Sequence, residues 1–155
     1  MDKVQGGDTN TTTLVAGLVL GSKYRSLFVE EDARYDVDRL ANLSPQDAST
    51  EVAQMLQDID RINADAASDG LADFAALQDL LGEQKKAKAL FDRWWTVFPP
   101  MEAAAKTFVK NPNQNTLALF IGSYQPFIEA SRKNNTAFLL MCLDAYRKKL
   151  REQGC

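Results

Sequence analysis

The stretch "SPQDASTEVAQMLQDIDRINADAASDG", Ser44 to Gly70, decides the fold class. Ser44 stands where a helix N-cap belongs, Pro45 suits the first helical position, and Asp47 completes a capping box. Ala48, Val52, Met55, Leu56, Ile59, Ile62 and Ala66 then recur every three or four residues, so they share one helix face. Gln54, Gln57, Asp58 and Arg61 fall elsewhere, on the faces left to solvent. "ASDG" at 67–70 supplies the turn chemistry that ends the helix.

Upstream, residues 1–10 ("MDKVQGGDTN") read as a flexible N-terminal lead, with Asp8, Thr9 or Asn10 available to cap the first helix. From Thr11 to Leu43 the sequence reads as a long helix with a soft spot near Gly21-Ser22. Its apolar first half, Leu14 to Gly21, leaves a short strand as an alternative. Downstream, a helical region from Leu71 to Phe98 has a candidate break at Gly82. Pro99 and Pro100 are expected to stop it, because neither has an N–H and each disfavours helical geometry in the residue before it. "MEAAAKTFVK" restarts as a short helix with Met101, Ala104, Ala105 and Phe108 inward. "NPNQN" at 111–115 is a turn, after which Asn115 can cap.

Two more helices are expected, with one shared spacing. Leu117, Phe120, Ile121, Tyr124 and Ile128 form the seam of the first, with Pro126 inside it as a kink. Leu139, Cys142, Leu143, Tyr146 and Leu150 form the seam of the second, after a break at "RKNN", 132–135. The fold class is therefore all-α: an antiparallel bundle of about five to six helices with a four-helix core, occupying residues 11–155 as one domain.

Composition narrows the function more by exclusion than by motif. Hydrophobic residues at 45% and charged residues at 25% are globular rather than disordered proportions. The complete absence of histidine removes Ser-His-Asp and Cys-His catalysis, imidazole metal sites and histidine-ligated haem. The two cysteines, Cys142 and Cys155, form no CxxC pair. Cys142 reads as a core residue within "FLLMCL", and Cys155 does not stand in a prenylation signal. A disulfide framework is not expected, so a cytoplasmic or otherwise reducing compartment is favoured for a soluble chain. No apolar run reaches membrane-span length, and the flanks of Leu14 to Gly21 do not suit a signal peptide. The net charge of -3 gives no general attraction to nucleic acid.

The acidic run Glu30, Glu31, Asp32, Asp36 and Asp38 lacks the spacing of a calcium loop and is interleaved with Arg34 and Arg39. It reads as a salt-bridged helix face, and no metal is assigned. No nucleophile with a base, glycine-rich phosphate loop or dinucleotide fingerprint is present, so no enzyme and no cofactor is expected. Of the basic clusters, "QKKAK" at 84–88 carries Lys85, Lys86 and Lys88. Arg147, Lys148, Lys149 and Arg151 close the last helix, where they complement its dipole; a peripheral contact with anionic membrane is the alternative.

The excess of apolar surface gathers around "RWWTVFPPM", Arg93 to Met101. With Phe91 at the centre of a ~100° helical wheel, Trp95 falls to one side and Trp94 to the other, with Leu90 and Val97 beyond Trp94. The apolar arc spans about 160°, wider than one neighbouring helix needs. Leu140 and Met141 likewise lie off the last seam. These excesses point to a non-catalytic protein–protein interaction module: an adaptor, an inhibitor or a peripheral subunit of a larger assembly. Its candidate contact residues are Leu90, Trp94, Trp95, Val97, Phe98, Pro99 and Pro100. The alternative is a bundle that senses a small molecule held between helices near Tyr24, Tyr35 or Tyr124. A third class, a pigment or cofactor holder, would have to work without histidine.

Overall fold

In the computed structural model, which describes residues 2–71, 74–82 and 84–152, the chain is a bundle of six helices with no strand among those residues. They are α1 (Asp2–Tyr24), continued by a π-helical turn over Arg25–Val29, α2 (Val37–Ala41), α3 (Pro45–Ser68), α4 (Phe74–Leu80), α5 (Gln84–Lys110) and α6 (Gln114–Glu152). The four long helices form the core. Side-chain pairs fix their directions: α1 runs antiparallel to α3, since Thr13 bonds the Gly70 carbonyl and Tyr24 bonds Asn63. The chain reverses between α5 and α6 over three residues, 111–113. The short α2 and α4 cover opposite ends.

α3 is built as its sequence predicts. The Ser44 hydroxyl accepts the Asp47 N–H at 3.2 Å, and Ala48, Val52, Met55, Ile59, Ile62 and Ala66 are buried. Asp58 is the exception, because it is buried rather than on a solvent face. Its carboxylate accepts the Tyr35 hydroxyl at 2.5 Å and the Gln54 amide at 2.9 Å. Paired in this way, a buried carboxylate avoids the cost of an unsolvated charge. The Tyr124 hydroxyl donates to the Tyr35 carbonyl at 2.5 Å, so three elements are tied at one buried point.

The Leu14 to Gly21 segment is helical, and so is the backbone from Asp2 onward, ahead of the cap expected at Asp8 to Asn10. The long helix expected through Leu43 instead ends in the π turn, and Glu30 to Asp36 form the connection to α2. Glu30, Glu31, Asp32 and Asp36 of the acidic run thus lie in the connection rather than on a helix face, and Asp38 alone is within α2. Asp36 caps α2 by accepting the Arg39 N–H at 3.0 Å, and Arg39 pairs with Glu51 at 2.8 Å. Gly82 does break the third helical region: its φ of +81° is left-handed backbone that side-chain-bearing residues rarely adopt.

Two expected breaks are absent. α5 passes straight through Pro99 and Pro100. Ala87, Phe91, Trp94, Phe98, Met101, Ala105 and Phe108 alternate by four and three residues across the prolines, so a break would rotate half of this seam off the core. The carbonyls deprived of partners are those of Trp95 and Thr96, which sit with the prolines on the exposed side, where water can solvate them. α6 likewise continues through 132–135 as one helix of 39 residues, about 58 Å long. Phe127, Ser131, Asn135, Phe138 and Cys142 carry its seam across the polar segment. Asn113, rather than Asn115, caps it, accepting the Thr116 N–H at 3.0 Å.

The core divides into two clusters. One gathers Phe28, Tyr35, Met55, Ile59, Phe98, Phe108, Phe120, Tyr124 and Phe127. The other gathers Leu14, Leu20, Ile62, Leu77, Ala87, Met141 and Cys142. All four long helices contribute to both, α1 reaching the first through Tyr24. Where the clusters meet, the packing leaves space.

Candidate functional site

That space is a pocket of about 130 Å³ between the two clusters. α1 contributes Leu20, Gly21 and Tyr24, with Val29 from the turn after it; α3 contributes Asn63 and α4 contributes Phe74. The wall formed by α5 is Leu90, Phe91, Trp94, Trp95 and Phe98, and α6 supplies Ser131, Asn134, Asn135 and Phe138. Trp95 and Asn63 are exposed and mark where the pocket meets solvent.

The aromatic lining is ordered by ring contacts. Trp94 lies 5.2 Å from Phe98 in a stacked pair, 5.2 Å from Tyr24 edge-on and 5.1 Å from Phe127. Phe91 meets Phe138 edge-on at 6.1 Å, and Phe74 meets Trp95 edge-on at 6.4 Å. These separations are those at which aromatic pairs attract beyond their buried area. The rings facing the pocket are therefore held by other rings, not left to collapse into it.

The polar lining is held as firmly. Asn135 donates to the Gly21 carbonyl at 3.0 Å and accepts from Arg25 at 3.3 Å. Asn134 donates to the Leu90 carbonyl at 3.2 Å and accepts from Arg93. The segment whose sequence reads as a break is thus the clasp of α6 against α1 and α5. Gly21 permits that clasp, because a Cβ there would come within 2.6 Å of a Leu139 methyl carbon and 3.1 Å of the Phe138 ring. Ser131 differs from its neighbours. It is 8% exposed, and its Oγ is buried with no hydrogen-bond partner among the described residues.

Among the described residues no charged side chain lines the pocket. Burial pushes the Tyr24 phenol well above its ordinary range, so it stays neutral while it donates to Asn63 at 3.1 Å. Tyr35 and Tyr124, the other tyrosines considered for a ligand site, are fully buried in the first cluster and lie away from the pocket.

The seven candidate contact residues divide by position. Phe98 is buried, Leu90, Trp94 and Val97 are half-buried against the clusters, and Trp95, Pro99 and Pro100 are exposed. Trp95 is 52% exposed, so of the two indoles it is the one offered outward. Of the off-seam pair in α6, Met141 is buried and Leu140 is 54% exposed. Cys142 is buried against α1 and α4, with its thiol pushed up to about 12 by burial, so it is a core residue and not a reactive one. Arg147, Lys148 and Arg151 are exposed on the last turns of α6, and Lys149 lies 3.8 Å from Glu152. Cys155 lies outside the described residues. Among the described residues no helix is long and apolar enough to cross a membrane.

Ser131, Asn134 and Asn135 are not legible in the sequence as site residues, because three polar residues among basic ones read as a loop. The signal that could have found them is the seam itself, which keeps its three-and-four spacing from Phe127 through Ser131 and Asn135 to Phe138. No protein-family model matches the chain, and neither a curated protein nor a solved structure shows significant similarity to it.

Proposed function

We propose that the protein is a non-catalytic helical bundle that binds a small, largely apolar molecule in the pocket between its two core clusters. The observation that carries this reading is a pocket of about 130 Å³ walled by Phe74, Phe91, Trp94, Trp95, Phe98 and Phe138, with no charged side chain in its lining among the described residues. A space of this volume conflicts with ordinary core density. A bound apolar molecule would supply contacts that the lining side chains do not make with one another.

A thermal-shift titration with small uncharged organic molecules tests this. Binding at a hundred times the dissociation constant adds about 2.7 kcal/mol, a rise in melting temperature of about 5 °C or more for a chain of this size. Leu90→Trp, which adds bulk to the lining, abolishes the rise. No saturable shift with any such molecule contradicts the reading.

A second reading, interaction with another protein, is favoured by Trp95, which is 52% exposed one turn before the exposed Pro99. Large exposed aromatics are frequent interface anchors. In that case Trp95→Ala removes a specific partner in affinity purification and leaves the melting temperature nearly unchanged; retention of every partner contradicts it.

A further inference from the structure

Resting on the reading of the pocket as a binding site, we infer that its ligand is an uncharged, single-ring aromatic group, selected over a saturated ring by contact with the aromatic walls and not by a hydrogen bond. Size sets the first limit. An engineered apolar cavity of about 150 Å³ accommodates benzene, so about 130 Å³ holds one ring with few substituents. The walls set the second. Phe74, Phe91, Trp94, Trp95, Phe98 and Phe138 line the space from three helices. Phe91 meets both Phe74 and Phe138 edge-on at 6.1 Å, Phe74 meets Trp95 edge-on at 6.4 Å, and Trp94 stacks on Phe98 at 5.2 Å. An aromatic guest extends this array through stacked and edge-on contacts, which attract beyond the area they bury. A saturated ring of similar size has no quadrupole with which to make them.

Charge sets the third limit. Arg25 and Arg93 are each engaged by an asparagine, and neither lines the pocket. An ionised ligand loses its water there and meets no counter-charge among the described residues. The polar part of the lining sets the last. Asn135 bonds the Gly21 carbonyl and Arg25, Asn134 bonds the Leu90 carbonyl and Arg93, and Asn63 accepts from Tyr24. The Ser131 Oγ is itself buried and is not open to a guest. Trp94 is half-buried and Trp95 exposed, so water can take their indole N–H groups. A ring without a polar atom therefore fits.

The test is calorimetric titration of the full chain with toluene, methylcyclohexane, phenol and benzoate. Toluene is expected to bind, phenol more weakly because its hydroxyl gives up water, and benzoate not measurably. Once both are corrected for partition between water and hexadecane, toluene is expected to bind about two- to tenfold more tightly than methylcyclohexane, the worth of an aromatic pair. Phe91→Leu is expected to shrink that preference, and Phe138→Leu gives the same reading should the first variant fail to fold. Suppose that methylcyclohexane matches toluene, that phenol or benzoate binds more tightly than toluene, or that both variants keep the full preference. In each case the assigned ligand class is wrong while the pocket remains a binding site. If none of the four molecules binds, the ligand class and the binding site fall together.

Discussion

Asn135 is 8% exposed and bonds a helix carbonyl on α1 as well as Arg25, so its side chain does two jobs no apolar residue could. Asn135→Ala removes both bonds, and the close packing of Leu139 and Phe138 against Gly21 leaves no room there for a compensating side chain. We expect it to lower the unfolding free energy by about 1–3 kcal/mol in urea titration, the usual cost of a buried group left unpaired. Asn134→Ala, half-buried and nearer solvent, should cost less than about 1 kcal/mol. Equal effects would mean that Asn135 is not the buried member of the pair. The same residues explain why the site is hard to read from sequence. A polar side chain within a seam resembles a loop residue until its partner, more than a hundred positions away in the chain, is known.

At the scale of elements, the sequence is a sound guide wherever one rule acts alone. Ser44 and Pro45 start α3, "ASDG" ends it, and Gly82 separates α4 from α5. It misleads wherever a local rule opposes tertiary packing. The prolines weaken α5 locally, but Phe98 and Met101 are buried on either side of them in one continuous seam. That conflict gives a prediction. Changing both Pro99 and Pro100 to alanine restores two backbone donors and removes two ring clashes, worth about 3 kcal/mol each in an ordinary helix, against an unfolded-state gain of about 0.4–1 kcal/mol per proline lost. Since the freed carbonyls here face solvent, a net gain of about 1–2 kcal/mol is expected in urea titration. A loss would show that the prolines end the helix after all. The polar segment of α6 obeys the same logic, since Ser131 and Asn135 keep the seam's register while changing its chemistry.

At the scale of the whole molecule, two apolar clusters share four helices, and the thiol and phenols enclosed with them are kept neutral. Burial raises the thiol of Cys142 from about 9 to about 12 and holds the phenols of Tyr24, Tyr35 and Tyr124 above their ordinary range. Because the folded values are raised, the unfolded chain releases these protons first. Their stabilisation is complete below about pH 9 and is lost as pH rises through the folded values. The urea midpoint should therefore fall steadily above about pH 9, and Cys142→Ala should delay the onset toward the ordinary tyrosine range near pH 10. A midpoint that stays flat into strongly alkaline solution would contradict this. The junction between the clusters is the proposed ligand site, and a nuclear Overhauser spectrum of the isotope-labelled protein with toluene tests it. Cross-peaks are expected from the toluene ring to the Leu20 and Leu90 methyls and to the Phe91 and Phe138 rings, all of which line the pocket. Cross-peaks only to the exposed side chains of Val15, Val19 or Leu119, or none at all, would contradict it.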